Sequence, residues 1–476
     1  MKRIIIIGAG PSGLTAGLEL SGANGAQKRL EIVVIEEQGG VGGISRTKEY
    51  KGYRFDIGGH RFFTKNDEVR QIWQGLLKDD FLTRKRLSRI YYDGKMFHYP
   101  LNPMETFFKL GFGKSLRVCS SYARARLSPA SREISLEDWV VNRFGRELFN
   151  AFFKSYTEKI WGMPCSQLSA DWSAQRIKGL SLVSALRNAF TCFGRKKQIR
   201  TLIGEFQYPR LGPGMLWDAL KARLEQKGVL FALSRRVTRL HHDNKSITAI
   251  ESVDSTGQVS RLEGDVFLSS MPLRDLVLGM VPPPPEQVRD AASRLFYRDF
   301  ITVALIIKKE FVFADNWIYL HDPAITAGRI QNFKNWSPDM VPDSSRTCLG
   351  MEYFCFENDP LWSSSDESLM ELARRDLVKL GFAREEEIED GAVIRVKKAY
   401  PVYTLGYKQD LAILREYLGK FSNLQLMGRN GLHRYNNQDH SMITGILAAR
   451  NVSGGKYDVF KVNEDAQYLE EREGGV

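Results

Sequence analysis

Three glycines near the start of the chain are spaced to wrap phosphate groups. Gly8 and Gly10 follow four consecutive isoleucines, which predict a buried parallel strand, and Gly13 lies in the apolar helix predicted next. Gly8 permits a tight turn, Gly10 lets the backbone approach a pyrophosphate, and Gly13 lets the helix pack against the strand. Pro11 and Ser12 suit the first turn of this helix, whose N-terminus attracts negative charge. This order of strand, glycines and helix predicts a dinucleotide site.

A second predicted strand, residues 32–35, ends at an acidic side chain. A carboxylate at this point of a dinucleotide domain accepts hydrogen bonds from the adenosine ribose hydroxyls. Glu36 and Glu37 are both candidates, and Glu36 is favoured because it directly follows the apolar run. The alternative is a glycine-rich turn in an α/β core that binds no ligand.

A second glycine-rich run, residues 39–47, indicates an extended cofactor. Within it, Gly42, Gly43, Ile44 and Ser45 offer backbone and small side chains that can wrap a long ligand. The run resembles the second glycine motif of the flavoprotein group that includes the amine oxidases and protoporphyrinogen oxidase. That resemblance implies FAD as the cofactor, and an ordinary flexible loop is the alternative.

The composition narrows the class of protein. Of the 476 residues, 43% are hydrophobic and 26% are charged, which is typical of a globular protein. The five cysteines and seven histidines show no metal-ligand spacing, so no metal site is predicted and a reducing, cytoplasmic compartment is expected. The chain opens on a predicted core strand, so no signal peptide is expected, and no stretch is long and apolar enough to span a membrane.

The net charge of +12 favours an anionic partner. No nucleic-acid recognition module is visible, so a phosphorylated small molecule or an anionic membrane surface fits better. The segment 172–204 contains no Asp or Glu and several Lys and Arg, with apolar residues near helical spacing. We favour a core-packed helix followed by a solvated basic loop. A helix lying on the inner face of the membrane is the alternative.

Four segments resemble the UDP-galactopyranose mutase family, and the similarity extends through most of the chain. These segments are residues 58–64, 155–162, 399–402 and 428–440. The glycine motifs are shared with many flavoenzymes. The string Tyr-Thr-Glu-Lys-x-Trp-Gly at residues 156–162 is far more specific.

The resemblance places Gly58, Gly59 and His60 beside the flavin. A histidine there can hydrogen-bond the flavin ring and adjust during a redox change, and a hydrogen-bonded core histidine is the alternative. Tyr156 and Trp161 offer aromatic faces for a uracil ring. Their alternative role is core packing, because they continue an aromatic stripe from the preceding residues.

The resemblance also implies a diphosphate site. Arg329 matches an arginine that clamps the substrate diphosphate, a task that suits the forked guanidinium. Tyr400 and Tyr435 match tyrosines that hydrogen-bond the same phosphates, and Arg429 matches an arginine near the flavin. The predicted catalytic residues are His60, Arg329, Tyr400 and Tyr435.

A helix is predicted near the C-terminus, after a polar run that follows Gly428. Asp439, His440, Ser441 and Met442 lie at its start. An N-terminus aimed at the flavin pyrimidine oxygen would stabilise negative charge on the reduced ring. An ordinary polar cap is the alternative, and it is compatible with this role.

The expected fold class is α/β with α+β insertions. The resemblance implies a Rossmann-like FAD-binding domain of the glutathione-reductase-2 type, interrupted by a helical insertion and a mixed-sheet substrate domain. Val237 lies where a backbone group could meet the adenine. The predicted units are residues 1–63, 205–275 and 396–455 for the FAD domain, 64–204 for a mainly helical cap, 276–395 for a mixed α/β domain and 456–476 for a tail.

One departure from the family pattern concerns a second diphosphate arginine, which the family carries on a mobile loop. The matching position here is Leu180, and Arg176 or Lys178 could substitute from a neighbouring place. The chain is also longer than typical bacterial mutases in both insertions. These differences leave the identity of the sugar nucleotide open.

The resemblance implies a mutase that acts on a nucleotide sugar or sugar diphosphate in carbohydrate biosynthesis. In that chemistry reduced flavin attacks the anomeric carbon and displaces the diphosphate, and a flavin–sugar adduct lets the ring reclose as a furanose without net redox change. NAD(P)H is a candidate reductant. One alternative is an FAD-dependent dehydrogenase or oxidase acting on a sugar, a lipid-linked or another small molecule. The other is a flavoprotein that binds at a membrane surface.

Overall fold

The computed structural model describes residues 2–22, 30–130, 132–172 and 204–463. Within these residues the chain forms three sheets of four or more strands, with helices packed on them. No helix in the described ranges is long and apolar enough to cross a membrane. The predicted α/β class, with a Rossmann-like sheet and a second unit built on a mixed sheet, is confirmed.

A five-stranded parallel sheet supports the first glycine loop. Its strands, in spatial order, are Leu424–Leu426, Val266–Ser269, Lys2–Ile7, Leu30–Ile35 and Leu230–Ala232. The isoleucines of the central strand are at most 3% exposed, as expected for a parallel strand covered on both faces. The carboxyl ends of the strands meet at one edge, and the glycine loop begins there.

Two helices that are distant in the sequence pack together beside this sheet. Helix Pro11–Gly22 follows the first strand, and helix Gln438–Val452 lies against it. A Cβ atom on Gly445 would lie 2.1 Å from the Ser12 carbonyl oxygen, so this contact requires glycine. The packing brings the C-terminal helix to the first glycine loop.

A seven-stranded sheet carries most of the predicted substrate residues. Its strands, in spatial order, are Ile388–Val402, Phe296–Ile307, Thr347–Cys355, Arg329–Asn332, Trp317–Leu320, Ser88–Tyr92 and Lys95–His98. The second of these strands is buried along nearly its whole length, where helix Asp366–Lys379 packs against the sheet.

The strand Ile388–Val402 forms one edge of this sheet and bends near its end. Its pairing with the neighbouring strand skips Asp299. Lys398 has a φ of 54°, which is uncommon for a residue other than glycine, and its N–H donates to Asp299 Oδ1 at 2.7 Å. The strand runs through the boundary predicted after residue 395, so residues 396–402 belong to this sheet and not to the parallel one. The other domain boundaries stay predictions.

The segment 64–204, predicted to be mainly helical, also contributes strands. Ser88–Tyr92 and Lys95–His98 extend the seven-stranded sheet, and Phe81–Lys85 pairs with Glu205–Pro209. Helices still make up most of the described part of this segment, and the strands are short and alternate weakly between buried and exposed positions.

The remaining strands form a small sheet and a hairpin. The four-stranded sheet, in spatial order, contains Val259–Glu263, Ile247–Asp254, Arg235–His242 and Met280–Val281. The hairpin joins Thr47–Tyr50 to Tyr53–Asp56. The other helices are Asp67–Leu77, Pro103–Leu110, Phe112–Leu127, Leu136–Phe144, Arg146–Leu148, the π-helical Phe149–Lys154, Ser155–Trp161, Gly214–Gln226, Leu273–Leu278, Glu286–Ser293, Phe333–Trp336, Pro360–Ser363 and Tyr407–Leu418.

Candidate functional site

A cavity of about 690 Å³ lies at the carboxyl edge of the parallel sheet. Ligands of open parallel sheets bind at this edge, because the loops that follow the strands converge there. The cavity therefore brings together segments that are distant in the chain. The predicted cofactor residues that line it are Gly8, Gly10, Pro11, Ser12, Glu36, Glu37, Gly43, Ile44, Ser45, His60, Val237, Arg429 and Ser441.

The first glycine loop has the close packing that its spacing predicts. Gly8 has a φ of 98°, and its N–H donates to the Ile35 carbonyl at 2.7 Å. A Cβ atom on Gly13 would lie 1.9 Å from the Gly8 carbonyl oxygen, so the helix could not approach the strand with a side chain there. Gly10 and Gly43 lie side by side in the cavity wall, since a Cβ on Gly10 would lie 3.9 Å from Gly43 Cα.

Glu36 braces the loop beside the cavity. Its Oε2 accepts from the Ala9 N–H at 2.7 Å, and its Oε1 accepts from the Gln38 N–H at 2.9 Å. Burial raises the pKa of this carboxyl, since only 8% of the residue is exposed. Glu37 also lines the cavity, but it is exposed. The carboxylate of Glu36 is therefore the better fixed of the two candidates for a ribose.

Several predicted cofactor residues lie outside the cavity lining. They are Gly13, Gly42, Gly58, Gly59, Gly428, Asp439, His440 and Met442. Two of the glycines serve close packing, because a Cβ on Gly42 would lie 2.6 Å from the Trp217 ring and one on Gly428 would lie 2.6 Å from Ser12 Oγ.

At the start of the C-terminal helix, one predicted cofactor residue lines the cavity and three are buried. Ser441 lines the cavity, whereas Met442 is buried and its Sδ accepts a hydrogen bond from Trp73 Nε1 at 3.1 Å. Asp439 and His440 are also buried, and burial raises the pKa of Asp439 to about 7. The role of this helix N-terminus toward the flavin stays a prediction, and the side chains of Asp439, His440 and Met442 pack against the core.

His60 lies at one end of the cavity among cationic and phenolic groups. Its Nε2 donates to the Ile57 carbonyl at 2.7 Å. Burial and the nearby charges of Arg429 and Arg329 lower the pKa of the imidazole to about 4, so it is neutral at pH 7. A Cβ on Gly58 would lie between 3.7 and 3.8 Å from His60 Nε2, Arg329 Nη2 and the Tyr400 hydroxyl, which places these groups around one point.

Two tyrosines and an arginine form a stack beside this end of the cavity. The rings of Tyr400 and Tyr435 are stacked, with centroids 5.5 Å apart and planes 21° apart. The Arg429 guanidinium carbon lies 4.8 Å from the Tyr435 ring centroid and 5.5 Å from that of Tyr400. Arg429 is held by the carbonyls of Asn436 and Ala399, at 2.8 and 3.2 Å. The stack brings together residues 399–402 and 428–440, two of the segments that carry the family resemblance.

Arg329 is fixed by a buried carboxylate. Its Nε donates to Oε2 of Glu352, which is fully buried on the neighbouring strand and also accepts from Gln331 Nε2. Burial opposes the charge of Arg329, but the carboxylate of Glu352 outweighs it and raises the pKa of the guanidinium further. Sequence reasoning missed Glu352. The sequence feature that could have indicated it is an acidic residue within a mostly apolar strand.

The two aromatic residues predicted to meet a nucleobase have different surroundings. Tyr156 is half-buried and stacks on His321, with centroids 4.1 Å apart and planes 11° apart. Trp161 is only 2% exposed and packs edge-on against Trp172 and Tyr400. Tyr156 thus remains a candidate for contact with a nucleobase, whereas Trp161 packs against the ring of Tyr400.

Comparison with known proteins places this site in a family. A family model described as "Flavin containing amine oxidoreductase" matches residues 11–452. The chain belongs to this family. FAD is therefore its cofactor, and the chain is a flavin-dependent enzyme of the amine oxidase superfamily.

Three similar proteins illustrate the range within the superfamily. A crystal structure of reduced UDP-galactopyranose mutase has a TM-score of 0.83 at 21% identity, covering 100% of both chains. Protoporphyrinogen oxidase 1 of Arabidopsis thaliana is 24% identical over 96% of this chain and 87% of its own length. A probable UDP-galactopyranose mutase of Klebsiella pneumoniae is 29% identical over 36% of this chain and 43% of its own length. The mutase-like fold predicted from the sequence is confirmed.

The cavity residues fit FAD. The glycine-lined wall at Gly10 and Gly43 leaves backbone open to a diphosphate, and Glu36 lies where a ribose is expected. Asn430 Oδ1 and Gln438 Oε1 are buried, and within the described ranges neither has a hydrogen-bond partner. Both residues line the cavity, so polar atoms of a cofactor can satisfy them.

A basic and aromatic surface beside Arg329 was not predicted from the sequence. We call it the aromatic wall, and it consists of Tyr99, Trp317 and Tyr319. The guanidinium carbons of Arg61 and Arg86 lie 6.0 and 5.4 Å from the Trp317 ring centroid. Tyr319 is the cross-strand neighbour of Arg329 and contacts Tyr156 edge-on at 5.8 Å. Arg61 adjoins the predicted His60 motif, whereas nothing in the local sequence marks Arg86.

Lys159, within the specific Tyr-Thr-Glu-Lys string, has a structural role. Its Nζ donates to the carbonyls of Leu320, Asp322, Ile325 and Ala327 at 2.7 to 3.2 Å. Burial lowers the pKa of this ammonium to about 8. The lysine ties the helix that carries Tyr156 to the loop that carries His321.

Some predictions lie outside the structure that is described. Arg176 is among the masked positions, as is the basic segment 172–204 apart from Trp172 and Gly204. The alternatives for that segment therefore stay predictions. In the described ranges, no group of three or more His, Cys, Asp or Glu side chains could hold a metal ion.

Proposed function

We propose that the enzyme is a sugar-nucleotide mutase that interconverts pyranose and furanose rings. The observation that carries this proposal is the convergence of Arg329, Tyr400, Tyr435 and Arg429 around His60 at one end of the FAD cavity. FAD, when bound and reduced, supplies a nucleophilic nitrogen for exchange at an anomeric carbon. The remaining work, binding and orienting a sugar diphosphate, falls to side chains of the chain itself.

The diphosphate is assigned to Arg329 and its neighbours. Glu352 fixes the Arg329 guanidinium, so the side chain is oriented before the substrate arrives. Arg61 and Arg86 add positive charge along the aromatic wall. Arg329, Arg61 and Arg86 can together neutralise the substrate diphosphate, although Leu180 stands at the position of the family's second arginine.

The tyrosines act as neutral donors in this proposal. Burial raises the pKa of Tyr400, so its hydroxyl keeps its proton at neutral pH and can donate to a phosphate oxygen. Tyr435 stacks on Tyr400 and positions it. His60 is neutral, donates through Nε2 to the Ile57 carbonyl, and lines the FAD cavity.

The nucleobase is assigned to the surface around Tyr156. Tyr156 and His321 form a stacked pair, and Tyr319 meets Tyr156 edge-on. A flat base can extend this stack, since aromatic faces bind bases with little sequence preference. Lys159 keeps the two halves of the stack together.

The second candidate is an FAD-dependent oxidoreductase acting on a sugar, a lipid-linked or another small molecule. It is favoured by the match to protoporphyrinogen oxidase 1 over 96% of the chain, and by the leucine at position 180. In this case Arg329 would bind an anionic substrate, and the flavin would change redox state in each turnover.

One experiment separates the two. The FAD-loaded enzyme is reduced anaerobically and incubated with a panel of nucleotide hexopyranoses, and furanose products are identified by NMR. The mutase proposal predicts many turnovers without further reductant. Product formation by oxidised enzyme, or reductant and oxygen consumption in proportion to product, would support the oxidoreductase instead.

A further inference from the structure

Two helices outside the cavity present an unusual surface. Helix Pro103–Leu110 and helix Phe112–Leu127 form a hairpin that turns at Gly111, where φ is 81°. The hairpin follows directly on the strand Lys95–His98 of the seven-stranded sheet. Asn102 caps its first helix by accepting from the N–H groups two and three residues on.

The fully buried side chains of the hairpin are small or polar, and Leu110 and Val118 are partly buried against the core. Thr106, Ser115 and Ala125 are its buried side chains among those described. Ser115 Oγ donates to the Phe107 carbonyl at 2.8 Å, which ties the second helix to the first. Lys109 Nζ bonds to the Met96 carbonyl, which ties the hairpin to the sheet. A helix of a water-soluble protein normally buries its large apolar residues instead.

Most of the large apolar side chains of the hairpin are exposed. Phe108, Phe112 and Leu116 are 72%, 75% and 60% exposed. Phe107 contacts Phe108 and Phe112, with ring centroids 5.8 and 6.5 Å apart, and Met104 lies one turn before Phe108. These five residues form a continuous surface, which we call the hairpin patch. A contiguous apolar surface of this kind marks an interaction site.

The charges around the hairpin patch identify its partner. Residues 102–127 contain one acidic side chain, Glu105, and it is already bonded to Lys109 and His98. The same residues contain five basic side chains, Lys109, Lys114, Arg117, Arg124 and Arg126. Arg117, Arg124 and Arg126 form no ion pair within the described part of the chain. Aromatic side chains flanked by unpaired cations are typical of helices that lie on anionic membranes.

We propose that this hairpin docks the enzyme on an anionic lipid surface. Phe108, Phe112 and Leu116 enter the boundary between headgroups and acyl chains, and Arg117 and Arg124 bind headgroup phosphates. A second copy of the chain is a poorer occupant, because pairing the hairpin patch with itself would bring two sets of like charges together. The proposal does not depend on which reaction the enzyme catalyses.

Flotation of the FAD-loaded enzyme with lipid vesicles tests this. One set of vesicles is pure phosphatidylcholine, and the other is an equimolar mixture of phosphatidylcholine and phosphatidylglycerol. At low salt the enzyme should float with the mixed vesicles and not with the neutral ones, and added salt should release it. The double variant Phe108→Ser/Phe112→Ser should bind at least about tenfold more weakly.

Two further variants separate the parts of the surface. Arg117→Ala/Arg124→Ala should weaken binding about tenfold or more, because each arginine near an anionic surface contributes roughly a fivefold factor. Phe311→Ser is the matched control, since Phe311 is 66% exposed but lies outside the hairpin, and it should float like the unaltered enzyme. Retained FAD absorbance shows that each variant is folded.

Three results would overturn the proposal. They are failure of the unaltered enzyme to float at low salt, equal flotation with neutral vesicles, and equal loss of flotation in Phe311→Ser. Sedimentation analysis adds a fourth. If the enzyme is a dimer that Phe108→Ser/Phe112→Ser converts to a monomer, the hairpin patch is an interface between copies.

Discussion

Arg329 and Glu352 are cross-strand partners, and the guanidinium of the first is held by the buried carboxylate of the second. In the proposed function the arginine contacts the substrate diphosphate, whereas the side chain of the glutamate hydrogen-bonds to Arg329 and Gln331. Glu352 is therefore a positioning residue. Removing its charge should harm both folding and substrate binding, and these two effects can be separated.

Glu352→Gln should lower the free energy of unfolding by about 3 kcal/mol, because it leaves Arg329 without its buried counter-charge. The KM for the nucleotide sugar should rise at the same time. Chemical denaturation and steady-state kinetics measure the two quantities. Asp315→Asn is the matched control, since Asp315 is a fully buried partner of Arg89 on the same sheet. The control should lose stability but keep its KM, and a raised KM in both variants would contradict the positioning role.

Arg61→Ala and Arg86→Ala should each raise the KM for a nucleotide sugar about tenfold or more, because a charged donor to a phosphate is lost. Both substitutions should also weaken the dependence of kcat/KM on salt. Arg239→Ala is the control, because Arg239 is an exposed arginine of the four-stranded sheet. An unchanged KM in both test variants would remove these residues from the substrate site.

Gly13→Ala should lower FAD affinity about tenfold or more and destabilise the fold by about 2 kcal/mol, since the new Cβ would overlap the Gly8 carbonyl. Gly17→Ala on the same helix is the control. Its Cβ would lie 3.5 Å from Leu224 Cδ1, an ordinary contact, and alanine favours a helix by up to about 1 kcal/mol. FAD content from absorbance and thermal unfolding measure both effects. Equal FAD loss in both variants would contradict the packing argument.

His433 should make stability depend on pH. Burial lowers the pKa of this imidazole to about 4, so between pH 6.5 and pH 4 the unfolded chain binds a proton that the native chain does not. Its contribution to stability is thus lost as the pH falls through that range. The stability difference between the unaltered enzyme and His433→Gln should shrink by about 3 kcal/mol between pH 7 and pH 4.

Leu432→Ala provides the control for that measurement. Leu432 is a buried neighbour that does not titrate, so its substitution should cost the same free energy at both pH values. Urea denaturation at several pH values gives each difference. A constant difference for His433→Gln would show that the imidazole titrates alike in the folded and unfolded chains.

The part of the site that the sequence predicted best is the part set by local geometry. Gly8, Gly13 and Glu36 lie in one strand–helix–strand unit, where close spacing in the sequence brings their atoms together. The FAD cofactor followed from that unit and from the second glycine run, and family membership confirms it. The substrate residues came from resemblance, and their roles stay predictions.

What the sequence did not predict depends on contacts between distant strands. Glu352 gains its role only because its strand lies beside that of Arg329, and Arg86 reaches Trp317 only through the pairing of two strands far apart in the chain. Met442, predicted to bind the cofactor, is buried and accepts a hydrogen bond from Trp73, which is far from it in the sequence. Sequence distance carries no information about such partners.

The bend in strand Ile388–Val402 has a consequence for how the protein behaves at high concentration. A long, straight edge strand presents unpaired N–H and C=O groups and can seed fibres by pairing with another molecule. Here the left-handed Lys398 and its charged neighbour Lys397 interrupt that edge just before Tyr400. Straightening the strand would therefore both displace Tyr400 and lengthen the edge that another molecule could pair with.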